Sequence, residues 1–185
     1  MLVAGGTGDS GALSSAEIFD PANPEAGFQA VASLMTSART GHTATLLNDG
    51  SVLIAGGETG GTAEIFDSTT QTFSPTLWNL SVPRSGHTAT LFTDDSVLLA
   101  GGNSDSMELY TPLDQKFTLD VATMSVVRTG HWAFELSDTR LLLFQGDIGN
   151  SIDEFDPTSD TITPKVASIS MHPARRCWPT AKFSC

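Results

Sequence analysis

Short apolar runs alternate with polar, glycine-rich breaks along this chain, and the runs return in a fixed order. Val52-Leu53-Ile54-Ala55 and Val97-Leu98-Leu99-Ala100 are continuously apolar, and each closes on a glycine pair, Gly56-Gly57 and Gly101-Gly102. Leu2-Val3-Ala4 runs into Gly5-Gly6 in the same way, and Leu142-Leu143-Phe144 into a degraded Gln145-Gly146. Ahead of three of these runs lies a smaller and more polar one, opened by Arg-x-Gly-His at Arg39 and His42, Arg84 and His87, and Arg128 and His131. After them comes an acidic-apolar-aromatic motif: Glu17-Ile18-Phe19-Asp20, Glu64-Ile65-Phe66-Asp67, Glu108-Leu109-Tyr110 and Glu154-Phe155-Asp156. A bulky apolar residue follows seven positions after the aromatic, at Phe73, Phe117 and Ile162. Phe28 comes two positions late, so residues 21–27 read as a small insertion. An apolar residue (Met35, Leu80, Met124, Met171) precedes each following arginine by four.

Arg39 and Arg84 are 45 residues apart, and Arg84 and Arg128 are 44 apart. A period of that length marks copies of one supersecondary unit. The runs are rich in Val, Ile, Leu, Phe and Thr and are bounded by turn-forming residues, which predicts strands. Asn48-Asp49-Gly50 is a hairpin signal, and Thr93-Asp94-Asp95 and Ser137-Asp138-Thr139 stand in its place in later copies. No segment has the apolar spacing of an amphipathic helix. Four strands per unit, radially repeated, predict an all-β fold, a β-propeller of four-stranded antiparallel blades. The small residues after each His suit the crowded innermost strand. The apolar run suits a second strand buried on both faces. A single domain over 1–185 is expected, with repeats at about 1–38, 39–83, 84–127 and 128–174. A closing strand, 175–185, starts at Arg175 and carries Cys177 and Trp178 where Gly and His stood. Either this strand completes the N-terminal blade of a four-bladed ring, or the chain is a fragment of a larger propeller.

These residues resemble the kelch repeat family, whose pattern is an apolar strand ending in Gly-Gly, an aromatic, and a second aromatic after six intervening residues. Gly56-Gly57, Phe66 and Phe73 match it, as do Gly101-Gly102, Tyr110 and Phe117. The likeness covers essentially the whole chain. Gln145 for Gly, Phe for the usual Tyr, and Phe or Ile for the usual Trp depart from the pattern. Among kelch-like propellers, the galactose oxidase group has a copper–radical site that needs two tyrosines. This chain has one, Tyr110, so the resemblance does not extend to that chemistry. A sialic-acid mutarotase-like activity, which needs no cofactor, stays open as an alternative.

The formal charge of −12 and pI near 4.4 argue against nucleic acid or an anionic membrane as partner. No apolar run approaches the ~18 residues of a membrane span. Met1 stands directly on a strand rather than on a signal peptide, which suggests a gene beginning upstream and leans towards an extracellular parent protein. Cys177 and Cys185 are too far apart on one extended segment for an easy bridge, so free thiols are expected.

Four of the six arginines fall at one register of the repeat. An Arg–Glu pair within or between blades is the favoured reading of Arg39, Arg84, Arg128 and Arg175 with Glu17, Glu64, Glu108 and Glu154. The histidines read as hydrogen-bonded to a neighbouring blade rather than as a metal ring. Acidic residues gather at the rim formed by the hairpin turns, read as a solvated face without calcium-loop spacing. The other rim carries the loops after the glycine pairs, 7–15, 58–62, 103–106 and 147–151, which differ in every copy. Variable loops on a rigid scaffold are where binding function concentrates. No catalytic constellation, metal site or cofactor is expected. The leading expectation is a non-enzymatic binding module for a protein, peptide or glycan. Its candidate rim residues are Arg39, His42, Arg84, His87, Arg128, His131, Trp132, Arg175 and Trp178. A carbohydrate-active enzyme and a structural fragment that self-associates through open edges are the alternatives.

Overall fold

The structure, a computed structural model, describes residues 1–165. The closing segment 175–185, with Arg175, Cys177 and Trp178, and Met171 before it, lies outside the described residues. The expected strands form, and they assemble into successive antiparallel sheets in sequence order. Blade 2 comprises Thr43–Leu46, Val52–Ala55, Ala63–Asp67 and Thr72–Pro75. Blade 3 comprises His87–Leu91, Val97–Gly101, Ser104–Thr111 and Lys116–Arg128. Blade 4 comprises Trp132–Glu135, Leu141–Phe144, Ile152–Asp156 and Thr161–Lys165. Blade 1 shows three strands, Leu2–Ala4, Ala16–Phe19 and Phe28–Ala30. Among the described residues no strand pairing joins blade 1 to blade 4. The insertion before Phe28 holds a single 3-10 turn, Pro24–Ala26, and Phe28 still pairs with Phe19 across the sheet. Among the described residues no helix is long and apolar enough to cross a membrane.

The core lies between blades, and the period-2 alternation of the second strand builds it. Leu53 and Ala55 face blade 3, where they meet Val97, Leu99, Tyr110 and Phe117. Ile54, between them, faces blade 1 and packs with Val31, Met35, Phe66 and Phe73. Leu98 and Ala100 face blade 4, against Leu141, Leu143 and Phe155. That is why these strands read as continuous apolar runs: both faces are covered. Blade 4 departs from the expectation. Its Leu141 and Leu143 are buried, but Leu142 and Phe144 on the opposite face are only half-buried.

The repeated aromatics are cross-strand partners joining the third and outer strands. Phe66 and Phe73 have ring centroids 4.8 Å apart, as do Tyr110 and Phe117. Each such tilted pair adds about 0.5–1.5 kcal/mol beyond its buried area. Blade 3 shows one irregularity. Its outer strand continues to Arg128 and pairs through two bulges with Ser104 and Ser106, so the expected loop 103–106 is largely strand.

Candidate functional site

The candidate residues fall into two groups, those that build the joints between blades and those that are exposed. Arg39, Arg84 and Arg128 belong to the first group, each almost wholly buried. Arg84 donates from Nη1 to the carbonyls of Gly101 (2.7 Å) and Ser106 (2.9 Å). Its Nη2 donates to Ser106 Oγ (2.9 Å) and Glu108 Oε1 (2.8 Å). Arg39 repeats this with Gly56, Thr62 and Glu64, and Arg128 with Gln145, Ser151 and Asp153. Each carboxylate in turn accepts at least one backbone N–H from the segment that leads into its blade. Thr36 N–H donates to Glu64 (2.9 Å), Ser81 N–H to Glu108 (2.8 Å) and Ser125 N–H to Asp153 (3.0 Å). The ion pair therefore ties three backbone segments together, and charge-assisted bonds of this kind are about twice as strong as neutral ones.

One partner differs from the expectation. Arg128 pairs with Asp153, not Glu154. Glu154 points to the other face of its strand, where Arg140 (2.5 Å) and Lys165 (3.2 Å) meet it. The sequence held the correct signal: the acid stands two residues before the aromatic in Glu64–Phe66 and Glu108–Tyr110, and that register selects Asp153 before Phe155. For Glu17 the corresponding opener would lie ahead of the first copy or at Arg175, outside the described residues.

The histidines form a second set of joints. Thr43 Oγ1 and His87 Nε2 are 2.9 Å apart, and Thr88 Oγ1 and His131 Nε2 are 3.0 Å apart. Each link runs from one innermost strand to the next. Burial first, and then the neighbouring Arg84, push the His87 pKa down to about 3. Burial and then Arg128 push that of His131 down to about 4, and His42 is lowered by burial and Arg39. The rings are neutral at physiological pH, and their Nδ1 atoms are buried without a partner among the described residues. No three His, Cys, Asp or Glu side chains among the described residues are grouped to hold a metal.

The glycine pair fits between two such histidines. Gly56 has φ +66°, and a Cβ there would stand 2.5 Å from the Arg84 carbonyl and 3.0 Å from His87 Cε1 of the next blade. A Cβ on Gly57 would stand 2.7 Å from the Cβ of His42 in its own blade. Glycine is needed there for space as well as for dihedral freedom. In blade 4 both elements of this joint change on the face turned away from blade 3. Trp132 stands in the register of Thr43 and Thr88, and Gln145, with φ +64°, in the register of Gly56. Trp132 is 58% exposed, and Phe134, two residues on, is also exposed and stacks on Phe144 at 5.4 Å. Trp178, its counterpart in the sequence reading, lies outside the described residues.

At the turn rim the repeated aspartates close their own turns. Oδ1 of Asp49 and of Asp94 accepts the N–H and hydroxyl of Ser51 and Ser96, and Oδ1 of Asp156 those of Thr158. Donation from Ser51 holds Asp49 below the usual carboxylate range, and Ser96 does the same for Asp94. Trp78, passed over in the sequence reading, is exposed beside Leu77 in the connection between blades 2 and 3. It takes the place of Ser33 and Ala122 in the other copies, and that departure was its signal.

No protein-family model matches this sequence, and no curated protein matches it. Among solved structures, the chain is similar to that titled "Structure of YjhT". The two share 11% identity over 90% of this chain and 65% of that one, with a TM-score of 0.67. The fold is a β-propeller of four-stranded antiparallel blades. The chain thus spans about 65% of that propeller's length. A "novel fungal alcohol oxidase" of the AA5 family, in complex with copper, is similar at 14% identity over 87% of this chain and 50% of that one. Its TM-score of 0.45 is too low to bear on fold or chemistry here.

Proposed function

We propose that this kelch-type propeller is a non-enzymatic binding module whose contact surface is the rim of loops after the glycine pairs, centred on Trp132. The observation that carries this reading is Trp132 itself. A large, amphipathic ring stands exposed on a strand where earlier copies place a small, engaged threonine. Rigid aromatics beside polar loops suit a peptide or a glycan, because they offer much contact area at little entropic loss. Arg39, Arg84, Arg128, His87 and His131 of the same rim are committed to the joints, so they support the scaffold rather than present free donors.

Glycan and peptide arrays probed with the folded chain, alongside Trp132→Ala, test this. Loss of about tenfold in affinity for the selected ligand on losing the ring is expected, the scale of an aromatic anchor. An unchanged array profile in Trp132→Ala would sink the proposal, and turnover of a free sugar would move the protein to the enzymes.

A further inference from the structure

The joint between blades 3 and 4 differs from that between blades 2 and 3 at one place on the turn rim. In the earlier joint Leu91 packs against the core. Two hydrogen bonds then close the gap beneath it. Asn48 N–H donates to Asp95 Oδ1 (2.9 Å), and Leu77 N–H donates to Gln115 Oε1 (3.1 Å). In the following copy the residues at these registers are Glu135, Thr139 and Asp160. Neither bond has a counterpart between blades 3 and 4 among the described residues. The joint stays open there as a cleft of about 280 Å³.

Its floor is apolar, made by Phe92, Leu109, Val121 and Phe155, and its mouth carries Asp94, Glu135 and Asp160. Among the described residues, none of those lining it is cationic. Glu135 sits on the face of its strand that points at blade 3, where the repeat calls for an apolar side chain. The exposed carboxylate thus stands beside an apolar surface with no counter-ion among the described residues.

We propose that this cleft binds the cationic side chain of an arginine or lysine carried by a basic segment of a partner protein. The volume suits one long side chain rather than a larger ligand, whose pockets run from about 300 to 1,000 Å³. Lysine and arginine pair an apolar stem with a charged head, the division the floor and mouth present. Flanking residues of the partner would lie along a rim that also carries Asp49, Asp95, Asp114 and Asp138. With a net charge of −12 the whole molecule attracts such a segment. This site is separate from the Trp132 rim, at the opposite end of the strands.

The test is an amide-shift titration of ¹⁵N-labelled protein with an acetylated, amidated arginine-rich peptide. The isosteric citrulline peptide and butylguanidinium serve as parallel arms. Shift changes concentrated in residues 92–96, 135–139 and 155–160 are expected, with no response to the citrulline peptide. Glu135→Leu, which restores the residue of the preceding copy, should fill the cleft and weaken binding about tenfold. Glu135→Gln keeps the side chain's shape and should weaken it in the same direction, so a folding defect in one variant leaves the other readable. Asp114→Asn removes a charge from the same rim outside the cleft and should change affinity by less than about twofold. Equal losses in Glu135→Leu and Asp114→Asn, with shifts spread along the rim, would overturn the proposal in favour of diffuse attraction. Butylguanidinium binding as tightly as the peptide would overturn the polypeptide ligand. Trp132→Ala should leave this titration unchanged, so failure here and failure of the Trp132 reading are told apart.

Discussion

Arg84→Met is the sharpest test of how the blades are held. The substitution keeps most of the buried stem and removes a guanidinium that makes five recorded hydrogen bonds. Glu108 is left as a fully buried carboxylate. Among the described residues it keeps only the N–H groups of Ser81 and Val82 as donors. Removing one partner of a buried pair destabilises by about 3–5 kcal/mol. The Gly101 and Ser106 carbonyls lose donors as well, at about 1 kcal/mol each. The expected loss is therefore about 5–7 kcal/mol, a large part of the 5–15 kcal/mol typical of a folded domain. Glu108→Met in the same chain removes the stranded charge. The double variant should then be less damaged than the sum of the singles by about 2 kcal/mol, the coupling expected of contacting groups. Urea unfolding followed by tryptophan fluorescence measures all four corners of this cycle. A loss under about 1 kcal/mol for Arg84→Met, or strict additivity in the double variant, would refute the reading of the pair as a structural staple.

Three further outcomes follow from the same geometry. Gly56→Ala should destabilise by more than about 3 kcal/mol in thermal unfolding, whereas Gly50→Ala should lose only the ~1 kcal/mol of its positive φ. The contrast is steric, since a Cβ at Gly56 meets the Arg84 carbonyl at 2.5 Å while one at Gly50 meets nothing within 4 Å. Asp153→Asn should cost several times more stability than Glu154→Gln, because the first is buried against Arg128 and the second lies against partly exposed partners. For His87 the folded-state pKa is lowered to about 3 from 6.5, so the unfolded chain binds its proton first. The stability it contributes is complete above about pH 6.5 and drains away as pH falls towards 3, at up to about 1.4 kcal/mol per pH unit. His87→Gln should flatten that part of the stability–pH curve, and an unchanged slope would show that His87 is not the group responsible.

The architecture was legible because each repeat motif has one physical job. The apolar runs mark strands covered on both faces, the glycine pairs mark the squeeze between histidines, and the Arg-x-Gly-His string marks the joint. The partner of Arg128 was misread because Glu154 lies next to Phe155, and adjacency in sequence outweighed the two-residue register that puts Asp153 on the same face. The open joint at Glu135 could not be found in the alignment alone. Leu91 and Glu135 are visibly equivalent, but only the structure shows that this register faces the preceding blade rather than solvent. Trp78 escaped notice because connections between blades carry no periodicity against which an odd residue stands out.

The Thr–His joint has a direction. Blades 2 and 3 each offer a hydroxyl and a glycine pocket to the copy after them and a histidine to the copy before, so one such copy can follow another. Head-to-tail contacts of this kind either close into a ring or continue. Duplicating one unit therefore yields a compatible neighbour at once, with no compensating mutation. The joint specifies how a copy is added and is silent on how many. The number must be set by the wedge angle between sheets, or by a joint that breaks the rule, as Trp132 and Gln145 do.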